Sequence, residues 1–370
     1  MGVSFKELNK PEKAMEAYNN ALEVKYDYAE AWLNGAELLE KWNRIEQLEV
    51  WLQKANKVFK DLSHDLLFFN ALCNYRLKNY SECNKLIGLT EFHQLSNEYK
   101  VPYLGLKVKL LHIFKKYKLA FDTCNQMKLI STESQFYQKQ SAEKYLDRLH
   151  SEVQELKSMS STPQHKKHTF QPQNNPIFLI GFPRSGTTLM ETILRTHSKI
   201  EVIDEQPIVE NMAKFLDYKN ISDLETRSDM QFRLARDRYF LELNKHQPLQ
   251  KEKCLIDKQP INMTMVPLIQ KVFPEARFIL AMRHPLDTIL SCWMTNFHPA
   301  YAVGNMLELK SIVNFYCLSM TILELSEKKL GLNIHEIKYE NLVENMKLEI
   351  SNLLKFLNLN WENSLSQYQA

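Results

Sequence analysis

Residues 176–197 read PIFLIGFPRSGTTLMETILRTH, and this stretch decides the fold. The short apolar run Pro176 to Gly181 predicts a strand, and LMETILRTH predicts an amphipathic helix. Between them lies Gly181-Phe-Pro-Arg-Ser-Gly-Thr-Thr188. Gly181 and Gly186 permit a tight turn, while backbone N–H groups at the helix start and the hydroxyls of Ser185, Thr187 and Thr188 converge on an anion. The spacing matches a Walker A loop, except that Thr187 stands where that loop carries the lysine that reaches a γ-phosphate. A nucleoside triphosphatase is therefore disfavoured. Arg184 instead offers a planar cationic fork inside the loop. The bland alternative, an empty strand-to-helix turn, is weakened by the strand before, the helix after and the internal arginine.

Outward from this loop the second half of the chain alternates short apolar runs with helical segments. The runs are EVID (201–204), KCLID (253–257), ARFILAM (276–282) and IHEIKY (334–339). Such alternation predicts an α/β domain over 176–370 with a parallel sheet flanked by helices. Residues 1–150 differ: glycine is rare there, and apolar residues recur at helical spacing. Ala14, Tyr18 and Ala21 return as Leu48, Leu52 and Ala55, about 34 residues on, and Gly2 and Phe5 as Ala36 and Leu39. Tyr80-Ser-Glu-Cys83 and Tyr117-Lys-Leu-Ala120 look like further copies of the same helix start, so Ala14, Leu48, Cys83 and Ala120 mark four degenerate helix pairs. This is the period and pattern of a tetratricopeptide solenoid, in which each pair buries its apolar face against the next. The alternative is a helical bundle with chance periodicity. With Gly2 near the eighth position of a repeat, this register predicts that the chain begins partway through one. Between the halves, 151–175 turns polar and reads as a linker.

Composition narrows the function. A formal charge of +3 gives no global basic field for nucleic acid, so any anion must be held by local groups. Six cysteines lie scattered without C-x-x-C spacing, which fits a reducing compartment and gives no zinc signature. Charges interrupt the amino-terminal window where a signal peptide needs an apolar core, and no apolar stretch approaches the length of a membrane span. A cytoplasmic protein without membrane segments is expected.

The run PIFLIGFPRSGTTLMETIL resembles the 5′-phosphosulfate loop of sulfotransferases that use 3′-phosphoadenosine 5′-phosphosulfate (PAPS). With the repeats in front, the chain resembles a bacterial-type subgroup whose catalytic half is similar to protein-tyrosine sulfotransferases. A second segment supports this: ARFILAMRHPLDTILSCW (276–293) carries Arg283 at a strand end and Ser291 on the next helix, which resembles the family's 3′-phosphate site. The resemblance implies PAPS as donor, held by Arg184, Ser185, Gly186, Thr187, Thr188, Arg283 and Ser291, with no metal.

Acid-base candidates follow from topology. Successive parallel strands end on one edge of the sheet, so Asp204-Glu205 after EVID and Lys258 after KCLID should face the crevice with Arg184 and Arg283. In the protein-tyrosine branch a glutamate matching Glu205 is the base, with a lysine matching Lys258 and an arginine matching Arg184 on the leaving group. The resemblance thus assigns Glu205, Lys258 and Arg184 to catalysis. Alternatively, Glu205 is only a structural ion pair with Lys258 or Arg184. His197, His284 and His298 are competing bases, as used by many small-molecule sulfotransferases. Tyr339-Glu340 reads as structural.

Family members continue with a segment that folds over the nucleotide, whereas this chain stops at Ala370, so the expected domain lacks its C-terminal part. Acceptors in view are a protein or peptide tyrosine, a glycan or a small molecule, with a protein partner recruited by the repeats. The competing function is a non-catalytic tetratricopeptide interaction protein whose α/β domain is a degenerate nucleotide binder.

Overall fold

A computed structural model of the chain describes residues 1–8, 10–133, 139–159, 175–246, 253–297 and 301–368. The chain divides into two compact units, Met1–Ser134 with Met294–Asn296, and Gln135–Trp293 with Phe297–Ala370.

The first unit is a run of helical hairpins. Its helices are α1 (Gly2–Glu7), α2 (Pro11–Val24), α3 (Ala29–Lys41), α4 (Ile45–Val58), α5 (His64–Arg76), α6 (Tyr80–Leu89), α7 (Asn97–Ile113) and α8 (Tyr117–Thr132). They pack as α1 with α2, α3 with α4, α5 with α6 and α7 with α8, and consecutive hairpins contact one another. One turn chemistry recurs at all four tips. The N–H of Lys10, Arg44, Asn79 and Lys116 donates to the carbonyl five residues back, on Phe5, Leu39, Asn74 and Leu111, at 2.8–2.9 Å. Wherever the preceding residue is among the described ones, Asn43, Lys78 and Lys115, it is left-handed, with φ of 57°, 64° and 57°. This is the helix-ending motif that satisfies carbonyls left over at a helix C-terminus. The next helix then starts at once, and Ala14, Leu48, Cys83 and Ala120 fall at its same buried position, at most 6% exposed.

The second unit carries α9 (Lys139–Ser158), β1 (Ile177–Gly181), α10 (Thr187–Leu194), β2 (Ile200–Asp204), α11 (Ile208–Phe215), α12 (Ile221–Glu225) and α13 (Asp229–His246). There follow β3 (Cys254–Lys258), α14 (Val266–Val272), β4 (Arg277–Met282), α15 (Pro285–Met294), α16 (Leu309–Leu330), β5 (Asn333–Lys338), α17 (Tyr339–Glu344) and α18 (Met346–Leu357). The five strands form one parallel sheet in the order β2-β3-β1-β4-β5. All five fall within a residue of the apolar runs in the sequence, and the expected α/β class with an all-helical amino-terminal half holds. Every residue of β1 is buried, as a central parallel strand requires. One face of the sheet packs Ile177, Leu179, Ile256 and Ile279 against α10 and α18. Phe178 and Phe278 stack on the opposite face, where Phe178 also meets Tyr239 of α13 and Phe273.

The segment read as a linker needs correction. Helix α9 continues to Ser158 and belongs to the second unit, so only 160–174, which lie outside the described residues, retain that reading. The polar text SEVQELKS conceals Val153 and Leu156, which continue a buried apolar stripe from Leu149, and α9 packs on α16. Glu152 is fully buried in the same face and accepts the Tyr218 O–H at 2.8 Å. Burial lifts its carboxyl to about 7.

Strand order positions the site. From β1 the chain moves outward to β2, returns to β3 beside β1, and crosses to β4 on the other flank. Adjacent connections therefore diverge at the carboxyl end of β1, which opens a crevice there.

Candidate functional site

The loop after β1 is shaped by two left-handed residues. Gly186, with φ 101°, caps α10, and Arg184 has φ 72°, a conformation costly for a residue with a Cβ. A Cβ on Gly186 would lie 2.5 Å from the Tyr339 ring, and one on Gly181 2.6 Å from both the Ala281 carbonyl and Ser185 Oγ. Both glycines are required by close approach. Helix α10 begins at Thr187, so its first-turn N–H groups, which have no partner within the helix, open toward the loop. Ser185 and Thr187 are buried, and Thr188 is exposed.

The arginines form one cluster with this loop. Arg184 Nε donates to Ser291 Oγ at 3.1 Å, and Arg283 Nη1 donates to the Arg184 carbonyl at 3.3 Å. The Arg283 guanidinium lies over the Tyr339 ring, 4.8 Å from its centre. Helix α15 is held against the loop by the Cys292 thiol, which donates to the Pro183 carbonyl at 3.2 Å. Sequence reading placed Arg184 on one anion and Arg283 with Ser291 on another; packing of α15 joins the three. Ser185 Oγ, Arg283 Nε and Thr288 Oγ1 are buried without a hydrogen-bond partner. Buried donors left unmade are costly, and here they suit an anion with many acceptor oxygens.

Lys258 forms the second cluster. Only 2% exposed, its ammonium lies 2.7 Å from Asp204 Oδ1, 2.7 Å from Glu205 Oε1 and 3.0 Å from Glu191 Oε2. Burial alone would lower its pKa, but hydrogen bonds to Asp204, Glu205 and Glu191 outweigh it and raise the value, so Lys258 is a fixed cation. The strands set this geometry: Asp204 is paired in register with Lys258, and the Glu205 N–H donates to the Lys258 carbonyl at 2.8 Å. Glu205 itself has φ 46°, a second left-handed residue where the chain leaves its strand. Glu205 thus does pair with Lys258, as the structural alternative held, and Asp204 and Glu205 each remain about half exposed at the sheet edge.

On the other face of β3, Asp257 is fully buried and accepts the Tyr239 O–H at 2.8 Å, while its second oxygen has no partner. Burial raises its carboxyl to about 7, against the lowering effect of the Tyr239 bond.

Sequence reasoning overlooked Glu191 and the contacts of Tyr339 and Glu340. A buried lysine demands counter-charges, and Glu191 sits one helical turn after Thr187, facing the sheet, which is the available signal for it. Glu340 accepts the His284 N–H at 2.9 Å, and that bond lowers its pKa. His197 is 2% exposed; its Nε2 is 2.9 Å from the Asn360 carbonyl, and its Nδ1 accepts the Lys199 N–H at 3.1 Å. Both ring nitrogens are therefore committed to structure. His284 is exposed, and His298 lies outside the described residues.

A model of the sulfotransferase family matches residues 176–363, just over half of the chain and all of the elements above from β1 onward. The chain belongs to the sulfotransferase family. This sulfotransferase-family chain is 31% identical over 211 residues to an uncharacterised protein of Aquifex aeolicus, covering 53% of this chain and 27% of the relative. It is 25% identical over 217 residues to protein-tyrosine sulfotransferase 1 of Danio rerio, covering 52% and 56%. The chain thus spans between about a quarter and about half the length of these curated relatives. Among solved structures it is similar to the sulfotransferase domain from the curacin biosynthetic pathway, at 20% identity and TM-score 0.38 over 53% of this chain and 78% of that one. Another is sulfotransferase STF9 from Mycobacterium avium, at 13% identity and TM-score 0.39 over 84% and 87%. Among the described residues no group of three or more His, Cys, Asp or Glu is arranged to hold a metal ion, and no helix is long and apolar enough to cross a membrane.

Proposed function

We propose that this chain transfers a sulfuryl group from PAPS to a hydroxyl acceptor. The observation that carries the reading is the phosphate loop without a Walker lysine, closed by Arg283 on the Arg184 carbonyl and by Arg184 on Ser291. Its unpartnered buried donors fit the phosphosulfate and 3′-phosphate of that nucleotide. Ser185, Gly186, Thr187, Thr188 and Arg184 hold the phosphosulfate end, and Arg283 with Ser291 holds the 3′-phosphate. PAPS supplies the sulfuryl group on a mixed anhydride whose phosphate is the leaving group.

Glu205 takes the proton of the acceptor hydroxyl as the oxygen bonds to sulfur. Lys258 and Arg184 balance the charge left on the departing phosphate oxygen. Protonation removes the charge of Glu205 and weakens its bond to Lys258. A lysine N–H is then released as negative charge grows on the leaving oxygen. Asp204 holds Lys258 as closely as Glu205 does, and keeps it anchored on the β2 side.

The hairpins of the first unit support a tetratricopeptide reading through their recurring turn and its spacing, at Lys10, Arg44, Asn79 and Lys116. With the similarity to a protein-tyrosine sulfotransferase, this favours a protein or peptide tyrosine as acceptor, recruited through the repeats. Calorimetry with 3′-phosphoadenosine 5′-phosphate (PAP) against AMP tests the donor site. Tighter binding of PAP by an order of magnitude or more is expected from an added charge-assisted pair, and equal affinity overturns the reading.

A further inference from the structure

We propose that Glu191 is a positioning residue that fixes the Lys258 ammonium between the phosphate-loop helix and the sheet edge. The inference rests on the proposed sulfuryl transfer and adds a residue to it. Three carboxylates face Lys258, and they differ in kind. Asp204 and Glu205 are about half exposed, Asp204 ending β2 and Glu205 following it, whereas the Glu191 side chain is 9% exposed. Glu191 is also held from the other side: its Oε1 accepts the Arg195 Nε–H at 2.7 Å while Oε2 meets Lys258 at 3.0 Å. It stands on α10, the helix that begins inside the phosphate loop at Thr187. Any force on Lys258 from Glu191 is therefore referenced to the anion cradle rather than to solvent.

The chemistry gives this a purpose. When Glu205 takes the acceptor proton its hold on Lys258 weakens, and Asp204 alone would leave the ammonium tethered to an exposed edge. Glu191 supplies a buried anchor on the loop helix, held from its other side by Arg195. An ammonium has three donors, so with Glu191 and Asp204 retained the third points away from both, toward the position Glu205 vacates.

The test compares Glu191→Gln with Glu191→Asp in the full chain. Three readouts are needed: kcat with labelled PAPS, PAP affinity by calorimetry, and acetic anhydride labelling of Lys258 at pH 9 read by peptide mass spectrometry. The charged groups facing Lys258 are Glu191, Asp204 and Glu205, so neutralising one exposes more of the free amine. In Glu191→Gln, labelling of Lys258 should rise about 10-fold. There kcat should fall about 10-fold or more while PAP affinity stays within about two-fold. Glu191→Asp keeps the charge one methylene short and should restore labelling protection with part of kcat. Unchanged labelling or unchanged kcat in the Gln variant overturns the inference, and so does a loss of PAP affinity equal to the loss of kcat. If Glu191→Gln does not fold, Glu191→Asp decides: a reduced kcat with PAP affinity kept supports the role, and a wild-type kcat refutes it. Failure of the parent reading shows in the wild-type protein itself, as equal affinity for PAP and AMP.

Discussion

The buried carboxyl of Asp257 makes a quantitative prediction about pH. Its pKa in the folded chain is about 7 against an ordinary 3.8, because burial disfavours the charged form and the Tyr239 bond only partly compensates. A folded pKa raised above the unfolded one means that the neutral form stabilises the fold. That stability is fully present below about pH 4 and is lost as pH rises through about 7. Each unit is worth about 1.4 kcal/mol, so the whole window amounts to about 4 kcal/mol and the interval from pH 5 to pH 8 to about 3 kcal/mol. Asp257→Asn retains an acceptor for the Tyr239 O–H and cannot ionise. Its amide adds a buried donor whose cost does not depend on pH, so the slope isolates the carboxyl. The assay is urea unfolding followed by near-ultraviolet circular dichroism at pH 5 and pH 8. Wild-type stability should fall by about 3 kcal/mol more than that of Asp257→Asn over this interval. Glu152, also raised to about 7, contributes equally to both proteins and cancels. Equal pH slopes would show that Asp257 is ionised in the fold and would refute the account of its burial.

Three other outcomes are expected. Glu205→Gln should lower turnover by about two orders of magnitude or more while PAP affinity, measured by calorimetry, stays near wild type; a variant turning over at the wild-type rate removes Glu205 from the base role. Gly186→Ala must hold a left-handed residue and push its methyl against Tyr339. PAP affinity should fall at least about 10-fold, at a backbone cost of about 1–2 kcal/mol before the clash, and an unchanged Kd contradicts the loop geometry. Leu48→Ala, at a fully buried site of α4, should cost about 3 kcal/mol in unfolding of the first unit while PAP binding is retained. A drop in PAP affinity there would tie the repeats to the donor site.

Much of this protein was legible as text. The apolar runs 176–181, 201–204, 253–257 and 276–282 became β1 to β4 because a strand buried on both faces has little choice of composition, whereas β5 is mostly exposed or half-buried and was marked by its place in the strand-helix alternation. The turn from Gly181 to Thr188 was readable because a tight turn with neighbours this close, Ala281 and Ser185 at Gly181 and Tyr339 at Gly186, needs glycine at both positions. The repeat was readable because each hairpin solves the same turn problem, at Lys10, Arg44, Asn79 and Lys116. Helix α9 was missed past residue 150 because Glu152, a charged residue, occupies its buried face, where the Tyr218 hydroxyl, the Ile221 backbone N–H and the charge of Arg148 make that position tolerable.

Sequence by itself determined which residue types stand at which strand ends, since backbone periodicity and turn chemistry are local. Tertiary structure alone decided which of them meet. That Lys258 is shared by Asp204, Glu205 and Glu191, and that Arg184 turns to Ser291 while Arg283 caps the loop carbonyl, depends on strand order and on the seating of α10 and α15. Charge pairing falls off over a few ångströms, whereas these partners are separated by up to about a hundred residues of chain, so no reading along the sequence could supply the distances.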